Sequence, residues 1–157
     1  MNDRDFLMHA LKGNQAAVEF VLLISRVADV WDNLIDRDGD VSNRAIHDAF
    51  WMLAIELPAN PFYRAYMDDL RPVMATGIMN WMAANEIEAG YASTNHRALE
   101  IAHVIRYSIA DVAIMAALLC GGREWAVEVG PELRLRSQRS DLNEYIKSLK
   151  GVEHAAQ

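Results

Sequence analysis

The stretch NQAAVEFVLLISRVADVWDNLID, Asn14 to Asp36, decides how the rest of the chain reads. Asn14 is a residue type that starts helices, because its short side chain accepts from the free N–H groups of a first turn. Behind it Val27, Val30, Trp31 and Leu34 recur at spacings of three and four, the period of a helix with one apolar face. On either side the pattern repeats: apolar residues fall at helical spacing rather than in strict alternation, and most of the eight Gly and four Pro sit between such segments. The chain is therefore expected to be all-α, one bundle over residues 1–157 with two or three long core helices and short terminal ones.

The punctuation places the elements. Asp3 to Lys12 reads as a short helix stopped by Gly13. Ser42 caps a third helix that should end at Leu57, since Pro58-Ala59-Asn60-Pro61 reads as a turn. Phe62 to about Leu70 forms a short helix, with Pro72 either kinking it or opening the next one towards Gly90. Thr94 or Asn95 starts the longest apolar helix, through His103 and Asp111 to Cys120, and Gly121-Gly122 supplies its stop. Glu124 to Lys150 is expected as one or two short helices broken around Gly130-Pro131.

Composition narrows the function classes. With 157 residues, 52% of them hydrophobic, the chain is long enough for one well-buried core and too short for two comfortable domains. A formal charge of −7 argues against nucleic acid and anionic lipid as partners, since both need basic surface. Cys120 is the single cysteine, which rules out an intramolecular disulfide or a cysteine zinc cluster and reads as a core residue. The start Met1-Asn2-Asp3-Arg4-Asp5 lacks the basic region of a secretory signal, and the longest apolar run, Val112 to Cys120, is too short to span a bilayer. A cytoplasmic protein without membrane contact is the expectation.

The acidity is local. Residues 29–48 hold six aspartates against Arg37 and Arg44, so four of the seven net negative charges lie in twenty residues. Within them Asp29, Asp32 and Asp36 fall within about 60° of one another on a helix, with Ser25 one turn earlier. Like charges so placed either face bulk water or are offset by something cationic, and hard divalent ions, Mg²⁺ above all, favour such oxygens. Asp111 lies in an apolar helix, where a carboxylate needs a partner: Ser108, Tyr107, an arginine across the bundle, or a metal shared with the acidic stripe. Arg106 points away from Asp111 and suits another helix or a phosphate. Asn80, with Thr76, and His103 are polar residues in apolar surroundings that fit the lining of the same cavity.

Other features read more plainly. Arg134, Arg136 and Arg139 form a modest basic stripe best taken as a solvated helix face. Asp36-Arg37-Asp38-Gly39-Asp40 matches the first five positions of an EF-hand calcium loop, but Val41 stands at the sixth position and His47 at the twelfth. Trp31, Phe50, Trp51, Trp81, Met79 and Met82 fit core stripes or a helix–helix interface, and a Met-rich face with Trp81 also suits a protein partner or a homodimer. The chain carries no Gly-rich phosphate loop, no second histidine at i+4 and no Gly-x-Ser-x-Gly elbow.

Asp32-Asn33-Leu34-Ile35-Asp36 resembles the aspartate-rich helix of isoprenoid synthases, which implies carboxylates holding Mg²⁺ against a substrate diphosphate. Asp29-x-x-Asp32 and Ser108-x-x-Asp111 resemble the paired ExxE and ExxD helix motifs of the all-α nucleotide pyrophosphohydrolases, which implies metal-dependent hydrolysis and a dimer. The whole chain, notably Val30 to Asp38, Leu57 to Arg64 and Ala117 to Gly122, resembles small phage or prophage proteins, a resemblance that implies no mechanism. Two functional expectations follow. The first is a Mg²⁺ site handling a diphosphate- or nucleotide-type ligand, with Asp29, Asp32, Asp36 and Asp111 on the metal and Arg106, Asn80 and His103 on the ligand. The second is a non-catalytic phage-type protein-interaction module.

Overall fold

A computed structural model describes residues 3–37, 41–91 and 95–155, and these are helical almost throughout. Helix α1 spans Asp3–Ala10 and α2 spans Gln15–Asp36. Between them Gly13 donates its N–H to Met8 and Lys12 to His9, a reversal that needs left-handed backbone at Lys12 (φ 55°) as well as at Gly13 (φ 74°). Asn14 then caps α2 as expected, its Oδ1 accepting from Ala17 N at 3.1 Å.

Ser42 caps α3, Asn43–Trp51, by accepting from Ala45 N at 3.1 Å. The helix expected to run on to Leu57 does stay helical, but it widens into a π-helical turn over Met52–Glu56 before the short α4, Leu57–Ala59. Pro58 thus opens a helical turn instead of ending one, since the first turn of a helix has no use for its missing N–H. Asn60 makes the true break: its backbone is extended, its Oδ1 accepts from Tyr63 N and its Nδ2 donates to Ala16 O on α2. The next segments fuse into one run, α5, Pro61–Tyr91, which bends at Tyr66 and carries Pro72 inside it.

The longest apolar helix is not continuous. Asn95 caps α6, His96–Ile105, and the chain turns an elbow at Arg106-Tyr107-Ser108 before α7, Ile109–Ser137. Gly121-Gly122 does interrupt α7 as expected: Gly122 takes φ 81° and ψ 177°, which only glycine adopts without strain, so the segments before and after it are two helices, and Asp111 of the first meets Arg134 of the second. The chain does not break at Gly130-Pro131; it breaks after Ser137 and resumes in α8, Leu142–Ala155.

Apolar faces of α1, α2, α5 and α7 make the main core, with Leu11, Val18, Phe20 and Leu70 buried at its centre. A smaller cluster joins α5, α6 and α8 through Ala84, Leu99, Ala102, Tyr145 and Ile146. The alanines at 110, 113, 116 and 117 let α7 lie close to its neighbours, and all four are buried. Among the described residues no single helix is long and apolar enough to cross a membrane.

Candidate functional site

The three aspartates of α2 do share one face, and what offsets them is arginine. Arg106, at the α6–α7 elbow, reaches back to α2, where its Nη2 donates to Asp32 Oδ1 at 3.0 Å and to Asp36 Oδ2 at 2.8 Å. Its Nη1 donates to Glu88 of α5 and to Asn85 Oδ1 at 3.3 Å. Burial works against the charge of this guanidinium, but Glu88, then Asp32 and Asp36, outweigh it and hold the pKa of Arg106 above its ordinary value. Asp32 also accepts from Trp81 Nε1 at 2.9 Å, and Trp81 packs against Trp31 with ring centroids 4.1 Å apart. Arg139, just beyond α7, covers the first aspartate: Nη1 donates to Asp29 Oδ1 at 2.6 Å and Nη2 to Ser25 Oγ at 3.0 Å.

Asp111 does not join this stripe. It faces Arg134, one of the arginines across the bundle, and lies outside the cavity that borders Asp29 and Asp32. The basic stripe expected to face solvent is thus spent on partners: Arg134 on Asp111, Arg136 on Glu132 and Arg139 on Asp29. Asn80 donates to Ser108 Oγ at 3.2 Å, and Ser108 donates in turn to Ile105 O at 2.6 Å, so this pair satisfies the buried elbow. His103 is buried on the side of α8, its Nε2 within 3.0 Å of Ser140 O and its ring against Tyr145. Neither Asn80 nor His103 lines the cavity. The Tyr145 hydroxyl donates to Glu88, which ties α8 to the Arg106 cluster.

A Mg²⁺ ion shared by Asp32 and Asp36 would need the place that the Arg106 guanidinium takes between their oxygens, so these donors do not fit the ion. Among the described residues no group of three or more His, Cys, Asp or Glu is arranged to hold a metal. Of the calcium-loop resemblance, Asp38, Gly39 and Asp40 lie outside the described residues, while Asp36 faces Arg106. Cys120 is half-buried, and burial pushes its thiol above the ordinary pKa, which suits packing better than nucleophilic work.

Beside the ion pairs runs a trough of about 600 Å³ between α2, α3, α5 and the elbow. Ala49, Trp81 and Val112 are buried at its base. Its rim is apolar and open: Leu34 of α2, Ile46 and Phe50 of α3, Leu53 of the π turn and Ile78 of α5 are all solvent-exposed. Charged side chains enter only at one border, as the internal pairs Asp29–Arg139 and Asp32–Arg106. Phe50, Trp51, Met79 and Met82, expected in a core or a helix–helix interface, are exposed, Phe50 by 75%.

Sequence reasoning missed Glu88, Asn85 and Arg139 as members of the polar cluster. Glu88 carried the one available signal: it lies one turn past Ala84, on the inward face of a long helix, where a carboxylate needs a cation. No protein-family model matches this chain, and no curated protein or solved structure matches it either.

Proposed function

We propose that this chain works as a non-catalytic protein-interaction module, with the trough between α2, α3 and α5 as its docking face for an amphipathic helix. One observation carries the reading: Leu34, Ile46, Phe50, Leu53 and Ile78 stand exposed around a single apolar trough. Helices that dock in grooves insert apolar anchors along one face, and a groove with carbon-lined walls gains by losing water from them. The polar groups at the border are already paired with each other, so a charged ligand would have to displace an internal ion pair, whereas an apolar segment only covers carbon. The metal-dependent reading asks more, since Arg106 would have to leave Asp32, Asp36 and Glu88 in order to meet a phosphate.

Two titrations test this. An anilinonaphthalene sulfonate dye, which brightens on apolar surface, is expected to bind the folded protein at protein concentrations low enough to leave the trough unoccupied, and Ile78→Glu to weaken that binding about 10-fold with the circular dichroism unchanged. Calorimetric titration with Mg²⁺ and Mn²⁺ is expected to show no saturable heat. Mg²⁺ binding that Asp32→Asn abolishes, together with a dye response indifferent to Ile78→Glu, would overturn the proposal.

A further inference from the structure

We infer that the occupant of the trough is a second copy of this chain, with α3 and the π turn of one protomer laid into the trough of the other and the reverse contact made at the same time. This rests on the docking reading above and adds the identity of the partner.

Self-complementarity is the first argument. A two-fold interface uses one patch on both subunits, so the patch must hold both the protruding and the receiving element. Here both lie on one face. Ile46, Phe50 and Leu53 follow one another at i, i+4 and i+7, the anchor spacing of a helix that docks in a groove, and the same three exposed residues form one wall of the trough, with the buried Ala49 behind them. Phe50 stands 75% exposed on that wall. The segment is also lightly held by its own fold: Ala49 is the one buried residue of α3, and the π turn has none.

Area is the second argument. Leu34, Ile46, Phe50, Leu53 and Ile78 are 38 to 75% exposed, which for side chains of this size leaves roughly 500 Å² of apolar surface in water. A standard stable interface takes about 800 Å² from each partner, of which about 60% is apolar. The apolar part of one protomer's share is thus already present on this face. Charge on α3 is balanced, since Arg44 and Asp48, its charged residues, pair with each other at 3.0 Å, and the π turn adds one exposed charge, Glu56, at its far end, while the whole chain carries −7.

Sedimentation equilibrium across a concentration series tests the inference on the wild type, Phe50→Glu, Ile78→Glu and, as a control outside the trough, Val127→Glu, whose side chain is exposed on α7. The wild type is expected at twice the 17.7 kDa of one chain. Phe50→Glu and Ile78→Glu are each expected to weaken the dimer about 100-fold, since each places a charge in the buried contact, while Val127→Glu leaves it unchanged. Should a glutamate disturb the fold, Phe50→Ala removes only an exposed ring and is expected to weaken the dimer about 10-fold. A wild type that stays monomeric up to about 1 mM, a concentration that detects even weak association, overturns the inference. So does a dimer that both glutamate variants leave intact. In either case the dye titration on Ile78→Glu decides separately whether the trough is a docking face for some other partner.

Discussion

Arg106 and Glu88 form a part-buried ion pair, their side chains 10% and 12% exposed, at the point where the α6–α7 elbow meets α5. The same guanidinium bonds Asp32 and Asp36 on α2, and Glu88 also accepts from Tyr145 on α8. One cation thus fastens three helices, and the acidic stripe of α2 exists in the folded chain because this cation is brought to it.

Removing the cation should be costly. Arg106→Ala leaves the part-buried Glu88 without its cation and with only the Tyr145 hydroxyl as donor, and a loss of about 3 kcal/mol in unfolding free energy is expected from urea denaturation. Arg106→Lys should recover less than half of it, because one ammonium cannot span Asp32, Asp36 and Glu88 as a planar fork does. A loss below about 1 kcal/mol for Arg106→Ala, the value of a surface pair, would mean that the elbow is not held in this way.

The aspartates of the stripe should separate in their effects. Asp29 meets Arg139 where both side chains are about half exposed, so Asp29→Ala is expected to cost no more than about 1 kcal/mol. Asp32 accepts from the buried Trp81 indole and from Arg106, so Asp32→Ala strands the indole N–H, while Arg106 keeps Asp36 and Glu88, and should cost about 1–3 kcal/mol. Chemical denaturation of the two variants side by side gives the order, and equal losses would remove the distinction between a latch and a solvated pair.

The path from sequence to this site shows which signals travel far. Local chemistry did: Asn14, Ser42 and Asn95 cap the helices that follow them, and three carboxylates in one α2 segment do share a face. The need for a cation beside that face was also legible, but its identity was not. Arg106 reaches α2 only because the chain turns at Arg106-Tyr107-Ser108, and no glycine or proline marks that elbow. Gly121-Gly122 and Gly130-Pro131 read alike as stops, yet only the first interrupts the helical run, at Gly122, while the helix passes through the second. The exposed faces were the least legible. Phe50 and Met79 follow the same spacing as core residues, and only the arrangement of the helices decides that nothing among the described residues covers them.

Two glycines of α7 should differ in how far they tolerate a side chain. A Cβ at Gly121 would lie 2.2 Å from Cδ1 of Trp125 and 2.6 Å from its Cγ. The ring would have to move, losing the bond from Trp125 Nε1 to Ala10 O at 2.7 Å and the contact with Lys12. Gly121→Ala should therefore destabilise by about 1–3 kcal/mol. Gly130 meets nothing beyond its chain neighbours at its would-be Cβ, but Pro131 follows it inside α7, and a Cβ before proline disfavours helical backbone; that offsets the gain in helix propensity, so Gly130→Ala should change stability by no more than about 0.5 kcal/mol. Thermal melts of both variants check the difference, and a stabilising Gly121→Ala would contradict the packing of Trp125.

Tyr145 should be silent in an alkaline titration until the fold gives way. Burial first, and then the bond to Glu88 and its charge, hold the Tyr145 phenol above its ordinary pKa, although Arg106 pulls the other way. An acid whose pKa is raised by folding favours the folded state while it stays protonated. That contribution is full below the ordinary phenol range, near pH 10, and is lost as pH rises above it, because the unfolded chain gives up the proton first. Phenolate absorbance of the wild type and Tyr145→Phe should therefore coincide up to the alkaline unfolding transition and differ by one tyrosine only beyond it. At neutral pH Tyr145→Phe should cost about 1.5–3 kcal/mol, the range for a hydrogen bond to a charged group, and the gap between the two proteins should narrow above pH 10. A one-tyrosine difference while the circular dichroism is still native would place the Tyr145 hydroxyl in water and break the link between α8 and the Arg106 cluster.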